Sequence, residues 1–85
     1  MPFFNLTVTV PGEFEAADEA IQVAADVIGV GARQWAAGYG FGARDVEFAF
    51  EHKEEADEAG RRFRNLIEGL GISVEIGVSQ MQDMP

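Results

Sequence analysis

The sequence predicts an α+β fold: a four-stranded antiparallel sheet with two helices on one face, in the order strand, helix, strand, strand, helix, strand. Three observations carry this. Residues 44–51 alternate strictly, with Val46, Phe48 and Phe50 on one side and Asp45, Glu47, Ala49 and Glu51 on the other, the pattern of a strand with one buried and one wet face. Segments of helical periodicity, about 13–30 and 52–70, lie on either side of it. Further alternating apolar segments stand near both ends of the chain, at 4–10 and 72–78. Eighty-five residues make one domain, 1–85. Its core is expected over about 3–79, with 80–85 as a frayed tail.

In the first strand Phe4, Leu6, Val8 and Val10 alternate with Asn5, Thr7 and Thr9, and Pro11-Gly12 ends it in a turn. The first helix follows. Ala17, Ile21, Ala24 and Ile28 fall on one face, while Glu15, Glu19, Gln22 and Asp26 lie roughly opposite. Gly29 and Gly31 mark its end. Residues 32–37 are expected to form a second strand, with the glycine-rich 38–42 as a long, mobile hairpin tip; the competing reading makes all of 32–43 a loop and leaves three strands. In that segment Trp35, Tyr39 and Phe41 share one parity. The second helix presents Ala56, Ala59, Phe63, Leu66 and Leu70 as an apolar stripe with Ile67 beside it, and Asp57→Arg61 and Glu58→Arg62 are acid-before-base pairs at i,i+4. In the last strand Ile72, Val74, Ile76 and Val78 face inward. Right-handed crossovers then give the spatial order 4-1-3-2. This layout resembles the ferredoxin-like βαββαβ plait over almost the whole chain, and the plait fixes no function.

Composition excludes several chemistries. No cysteine is present, so there is neither a disulfide framework nor a thiolate metal site. The N-terminal residues lack a basic region followed by an apolar run, so no signal peptide is expected, and no window approaches the roughly 18 apolar residues of a membrane span. A cytoplasmic location is the expectation. Fifteen acids against six bases give a net charge of −9, which repels phosphate backbones and anionic lipid and suits basic partners or solubility. His52 is the single histidine and has no ligand-spaced companion, and neither Ser73 nor Ser79 sits in a nucleophile elbow. No catalytic residue, metal or cofactor is therefore assigned, and the protein is expected not to be an enzyme. Arg61, Arg62 and Arg64 hold half of the positive charge and are expected to pair with nearby acids.

Residues 37–42 resemble part of the ribonucleoprotein signature of the RNA-recognition motif through Gly38, Tyr39, Gly40 and Phe41. Ala37 stands where that family has Lys or Arg, Gly42 where it has an aliphatic residue, and Arg44 where it has an aromatic. RNA binding also demands a basic surface around the stacking rings, so no direct nucleic-acid contact is expected. Pro11-Gly12 between strand and helix is similar in layout to ACT-type regulatory modules. That resemblance implies amino-acid binding near the turn and a homodimer formed through sheet edges, although the acid-Arg-Pro-Gly run of those modules is missing.

The resulting expectation is a small acidic binding protein. It would act as an inhibitor or regulator docking on a basic, nucleic-acid-binding surface of a protein or protein complex, its carboxylates standing where phosphates would. The partner-binding residues are Glu15, Asp18, Glu19 and Asp26 on the first helix, Glu54, Glu55, Asp57 and Glu58 on the second, and Trp35, Tyr39 and Phe41 as apolar anchors. The alternative is a ligand-sensing or structural homodimer module of ACT-like layout.

Overall fold

The computed structural model describes residues 2–82. Its elements are β1 (Phe3–Pro11), α1 (Phe14–Ile28), a single 3-10 turn (Gly31–Arg33), β2 (Gln34–Gly40), β3 (Ala43–Phe50), α2 (Lys53–Gly69) and β4 (Glu75–Met81). The strands form one antiparallel sheet in the order β2-β3-β1-β4. This is the expected ferredoxin-like plait, and the three-stranded alternative is excluded.

The helices cover one face of the sheet because one face is apolar. Leu6, Val8 and Val10 of β1 and Val46, Phe48 and Phe50 of β3 are buried against Ala17, Ile21, Ala24 and Ala25 of α1 and Ala56, Ala59, Phe63 and Ile67 of α2. Phe48 and Phe63 meet at the centre with ring centroids 5.1 Å apart. Gly60 lets α2 approach closely: a Cβ there would lie 2.9 Å from Ile76 Cγ2 and 3.3 Å from Leu6 Cδ1. Gly29 closes α1 in the left-handed region at φ 88°, and its N–H and that of Val30 both donate to the Ala25 carbonyl at 2.9 Å, satisfying the end of the helix.

Four local expectations are corrected. The glycine-rich segment is not a long tip. β2 runs to Gly40, and Phe41 (φ 54°) and Gly42 (φ 75°) form a two-residue turn, a pair of positive φ values that suits strand twist. The turn is tied down, since Gly12 N–H donates to the Gly42 carbonyl at 2.8 Å. Leu66 and Leu70 are exposed, and Ile67 takes the inward position. β4 starts at Glu75 rather than at 72: in its register with β1, Ser73 would face Pro11, which has no N–H to give. Gln80 and Met81, assigned to a frayed tail, pair with Phe4 and Phe3; residues 83–85 of that tail lie outside the described residues.

Candidate functional site

The open face of the sheet is built from the polar halves of the strand alternations. Across the strands, Gly38, Asp45, Thr9 and Glu75 stand in one row, and Ala36, Glu47, Thr7 and Gly77 in the next. Thr9 Oγ1 donates to Asp45 Oδ1 at 3.1 Å. Asn5 Nδ2 donates to Glu47 Oε1 at 2.7 Å and to Thr7 Oγ1 at 3.3 Å. Asn5 is only 3% exposed, which is affordable because its carbonyl oxygen accepts from the Trp35 indole N–H at 2.8 Å. Trp35 in turn stacks edge-on against Phe3, centroids 5.6 Å apart.

Trp35 reaches this face through a bulge between Gln34 and Ala36. The extra residue reverses the alternation, so Trp35 does not share a surface with Tyr39 as strict parity implies. Tyr39 lies on the helical side, edge-on to Phe14 at 5.5 Å, with its hydroxyl donating to the Gly12 carbonyl at 3.0 Å. Phe41, at the turn, is fully exposed. The three expected anchors thus occupy three different environments.

The acids expected on the helices divide into two groups. Asp18 pairs with Arg44 at 3.1 Å, Glu55 with Arg33 at 3.6 Å and Asp57 with Lys53 at 2.7 Å. Glu58 takes both Arg61 at 2.6 Å and Arg62 at 3.1 Å, so the expected Asp57–Arg61 pair is replaced. Hydrogen bonds from Arg61 and Arg62 hold the Glu58 carboxyl below the usual glutamate range. Arg64 approaches Glu68 at 4.0 Å. Glu15, Glu19, Asp26 and Glu54 have no ion-pair partner among the described residues. The helical acids therefore form no single uncompensated patch.

Between the end of α1 and the start of α2 lies an open cleft of about 420 Å³. Ile28, Val30, Phe50 and Ala59 supply apolar wall, and Arg33, Glu54, Glu55, Glu58 and Arg62 line it with charge. The Arg33 guanidinium lies over the Phe50 ring, 5.1 Å from its centroid, a cation–π contact that fixes it at the cleft wall. His52 sits at the N-cap of α2 without a capping side-chain bond, leaving the first-turn N–H groups available. Sequence reasoning missed Arg33, Phe50 and Arg62 as cleft residues because the cleft forms only when two distant helix ends meet. It also missed Asn5, Asp45, Glu47 and Glu75 as one surface, although the strand order 4-1-3-2 and the alternations place them together. No three His, Asp or Glu side chains converge as a metal site among the described residues, and no helix among them is long and apolar enough to cross a membrane.

No protein-family model matches the chain, and no curated protein matches it. Among solved structures, the chain is similar to CPII, a nitrogen regulatory PII-like protein from Thiomonas intermedia, bound to ADP, AMP and bicarbonate. The two superpose with a TM-score of 0.55 at 18% sequence identity, over 100% of this chain and 98% of that one. At that identity the likeness is one of fold.

Proposed function

We propose that the chain is a small regulatory module that works by binding a soluble ligand and has no catalytic centre of its own. The observation that carries this reading is the likeness, over its full length, to a PII-like protein whose structure holds ADP, AMP and bicarbonate. The cleft between α1 and α2 is the proposed ligand site. An anionic ligand there would meet the guanidiniums of Arg33 and Arg62 and the N-terminus of α2, whose dipole favours negative charge. Both arginines are held by exposed ion pairs worth about 0–1 kcal/mol each, so a phosphate or carboxylate displaces those pairs easily. Glu54, Glu55 and Glu58 at the same rim oppose a high negative charge. The cleft therefore suits a ligand with one or two negative charges and a ring or apolar part to lie on Phe50 and Val30.

The test is titration of the isotope-labelled chain with AMP, ADP and bicarbonate separately, followed by amide NMR. Amides of residues 30–34 and 53–58 are expected to shift, and Arg33→Ala with Arg62→Ala to weaken binding by about tenfold or more, in line with the loss of charge-assisted hydrogen bonds. No shift with any of the three at millimolar concentration, or shifts unaffected by the arginine substitutions, removes the cleft reading.

A second reading has its own support: docking on a basic, nucleic-acid-binding surface of a partner protein. It rests on the net charge of −9 and on Phe41, a fully exposed aromatic held at a positive φ. Such a residue costs the fold about 1–2 kcal/mol, which directs attention to contacts outside the chain. Glu15, Glu19, Asp26 and Glu54 remain available to such a partner, as do Tyr39 and Trp35 in part.

A further inference from the structure

Charge is segregated on this molecule by the sheet. Every strand position on the open face is known from the register, and none is Lys or Arg among the described residues. Arg44 is on β3 but turns to Asp18 on the helical side and lies over the Phe14 ring at 4.6 Å. Lys53, Arg61, Arg62 and Arg64 belong to α2, and Arg33 borders only the corner near Phe3 and Glu51. Asp45, Glu47 and Glu75 stand on the open face without an ion-pair partner among the described residues. Two of the three are held in place, Asp45 by Thr9 and Glu47 by the buried Asn5. Thr7, Thr9, Gly38, Ala36 and Gly77 stand between and beside them, so the floor is low around Asp45 and Glu75 and rises only at the Glu47 end, where Trp35 covers Asn5.

We propose that this open face is a docking surface for an extended basic segment of a partner protein, carrying Arg or Lys at alternate positions. Charge complementarity names the occupant. A second copy laid face to face would bring two sets of the same carboxylates together with no cation between them, and a nucleic acid would be repelled in the same way. An extended chain repeats every two residues, about 6.6 Å, which is the separation of Asp45 and Glu47 along β3; Glu75 stands two strands from Asp45, about 9.6 Å away, within reach of a further long side chain. The Gly and Thr floor lets the partner's backbone come close. This inference does not rest on the ligand reading, because the cleft lies in the helical layer on the other side of the sheet.

The experiment titrates the full labelled chain with a synthetic peptide of alternating Arg and Ser, and with the same peptide carrying citrulline for Arg. Expected are amide shifts at Thr7, Thr9, Asp45, Glu47 and Glu75 with the arginine peptide alone, weakening as salt rises. Asp45→Asn, Glu47→Gln and Glu75→Gln together keep the hydrogen-bond acceptors and the fold and should weaken binding about tenfold, while Glu15→Gln with Glu19→Gln should change it less than about twofold. The proposal is overturned if the shifts fall on the helices, if the triple variant binds as the parent does, or if the same amides shift on concentration of the chain alone, which would make a second copy the occupant. Arg33→Ala with Arg62→Ala should leave peptide binding intact, so failure of the cleft reading and failure of this one are distinguishable.

Discussion

Gly60→Ala should destabilise the protein, against the ordinary expectation for a helix interior. On an open helix, replacing Gly by Ala gains about 1 kcal/mol. Here the new Cβ would lie 2.9 Å from Ile76 Cγ2 and 3.3 Å from Leu6 Cδ1, whereas carbon atoms rest about 3.5–4.0 Å apart. Leu6 is fully buried and has nowhere to retreat. Ile76 Cγ2 is bonded directly to a branched Cβ, so it moves only if χ1 changes or the strand moves, and χ1 of isoleucine is stiff. Relief must come from β4, an edge strand with one neighbour, sliding outward by a fraction of an ångström. Overpacking of this kind costs about 1–3 kcal/mol. Offset by the helix-propensity gain, it leaves a net loss of about 0–2 kcal/mol, or roughly 4–8 °C in Tm per kcal/mol for a domain this size. Urea melts of the parent, Gly60→Ala, Ile76→Ala and the double variant measure it as a cycle. In the Ile76→Ala background the Gly60→Ala penalty should shrink by about 0.5–3 kcal/mol, the range of coupling between touching residues. Gly69→Ala, where nothing lies within 4 Å, serves as the control and should be neutral or stabilising. If Gly60→Ala melts at or above the parent while the control behaves as stated, α2 is not pressed onto Ile76 and the packing argument fails.

Phe48→Ala removes a fully buried ring from between the sheet and both helices and should cost about 3–5 kcal/mol of a total near 5–10 kcal/mol, leaving denaturant melts close to the unfolding threshold. Phe41→Asn should stabilise by about 1 kcal/mol, because asparagine accepts the left-handed region more readily and no buried contact is lost; a lower Tm would mean the turn is packed. Glu58 should titrate below the usual glutamate value by NMR, and Arg61→Ala and Arg62→Ala should each return it upward. Because that pKa is depressed on folding, the associated stabilisation is present above the unfolded-state value and is lost as pH falls through the folded one.

Elements whose evidence is local could be read from the sequence. The β3 alternation, both helices and the strand order needed only periodicity and handed crossovers. The failures share a cause: each depended on what another strand offered. The bulge at Trp35 inserts one residue, and parity counting from Trp35 to Tyr39 cannot detect it. β4 begins where β1 has a donor to give and ends where β1 begins, so its limits were written in Pro11 and Phe3 rather than in its own residues. Leu66 and Ile67 are neighbours on a helix, and only the position of the sheet decides which faces it. Of the site, the acidic character was legible, but not which acids remain free. Asp18–Arg44 and Glu55–Arg33 join segments far apart in sequence, and Glu58 captures two arginines where one was expected.

That pairing changes what a net charge of −9 means. Residues 53–69 carry four bases and five acids, so the α2 side of the molecule is nearly neutral. Residues 14–28 carry four acids and no base, one of them matched by Arg44. The open face adds three carboxylates with no cation at any strand position among the described residues. Most of the remaining negative charge therefore lies on two opposite surfaces, the outside of α1 and the open sheet, with the helical layer and core between them. At physiological salt a field decays over about 8 Å, less than the distance across a sheet and the helices packed on it. A basic partner thus senses one surface at a time. The two surfaces are not equivalent: Glu15 and Glu19 stand on a helix with no hydrogen bond fixing them among the described residues, whereas Glu47 and Asp45 are oriented by Asn5 and Thr9. Fixed carboxylates lose less side-chain entropy when a cation arrives, so the same number of charges would bind a cationic segment more strongly on the sheet. On the proposal that a basic segment docks on the sheet, the α1 surface would be left to hasten encounter.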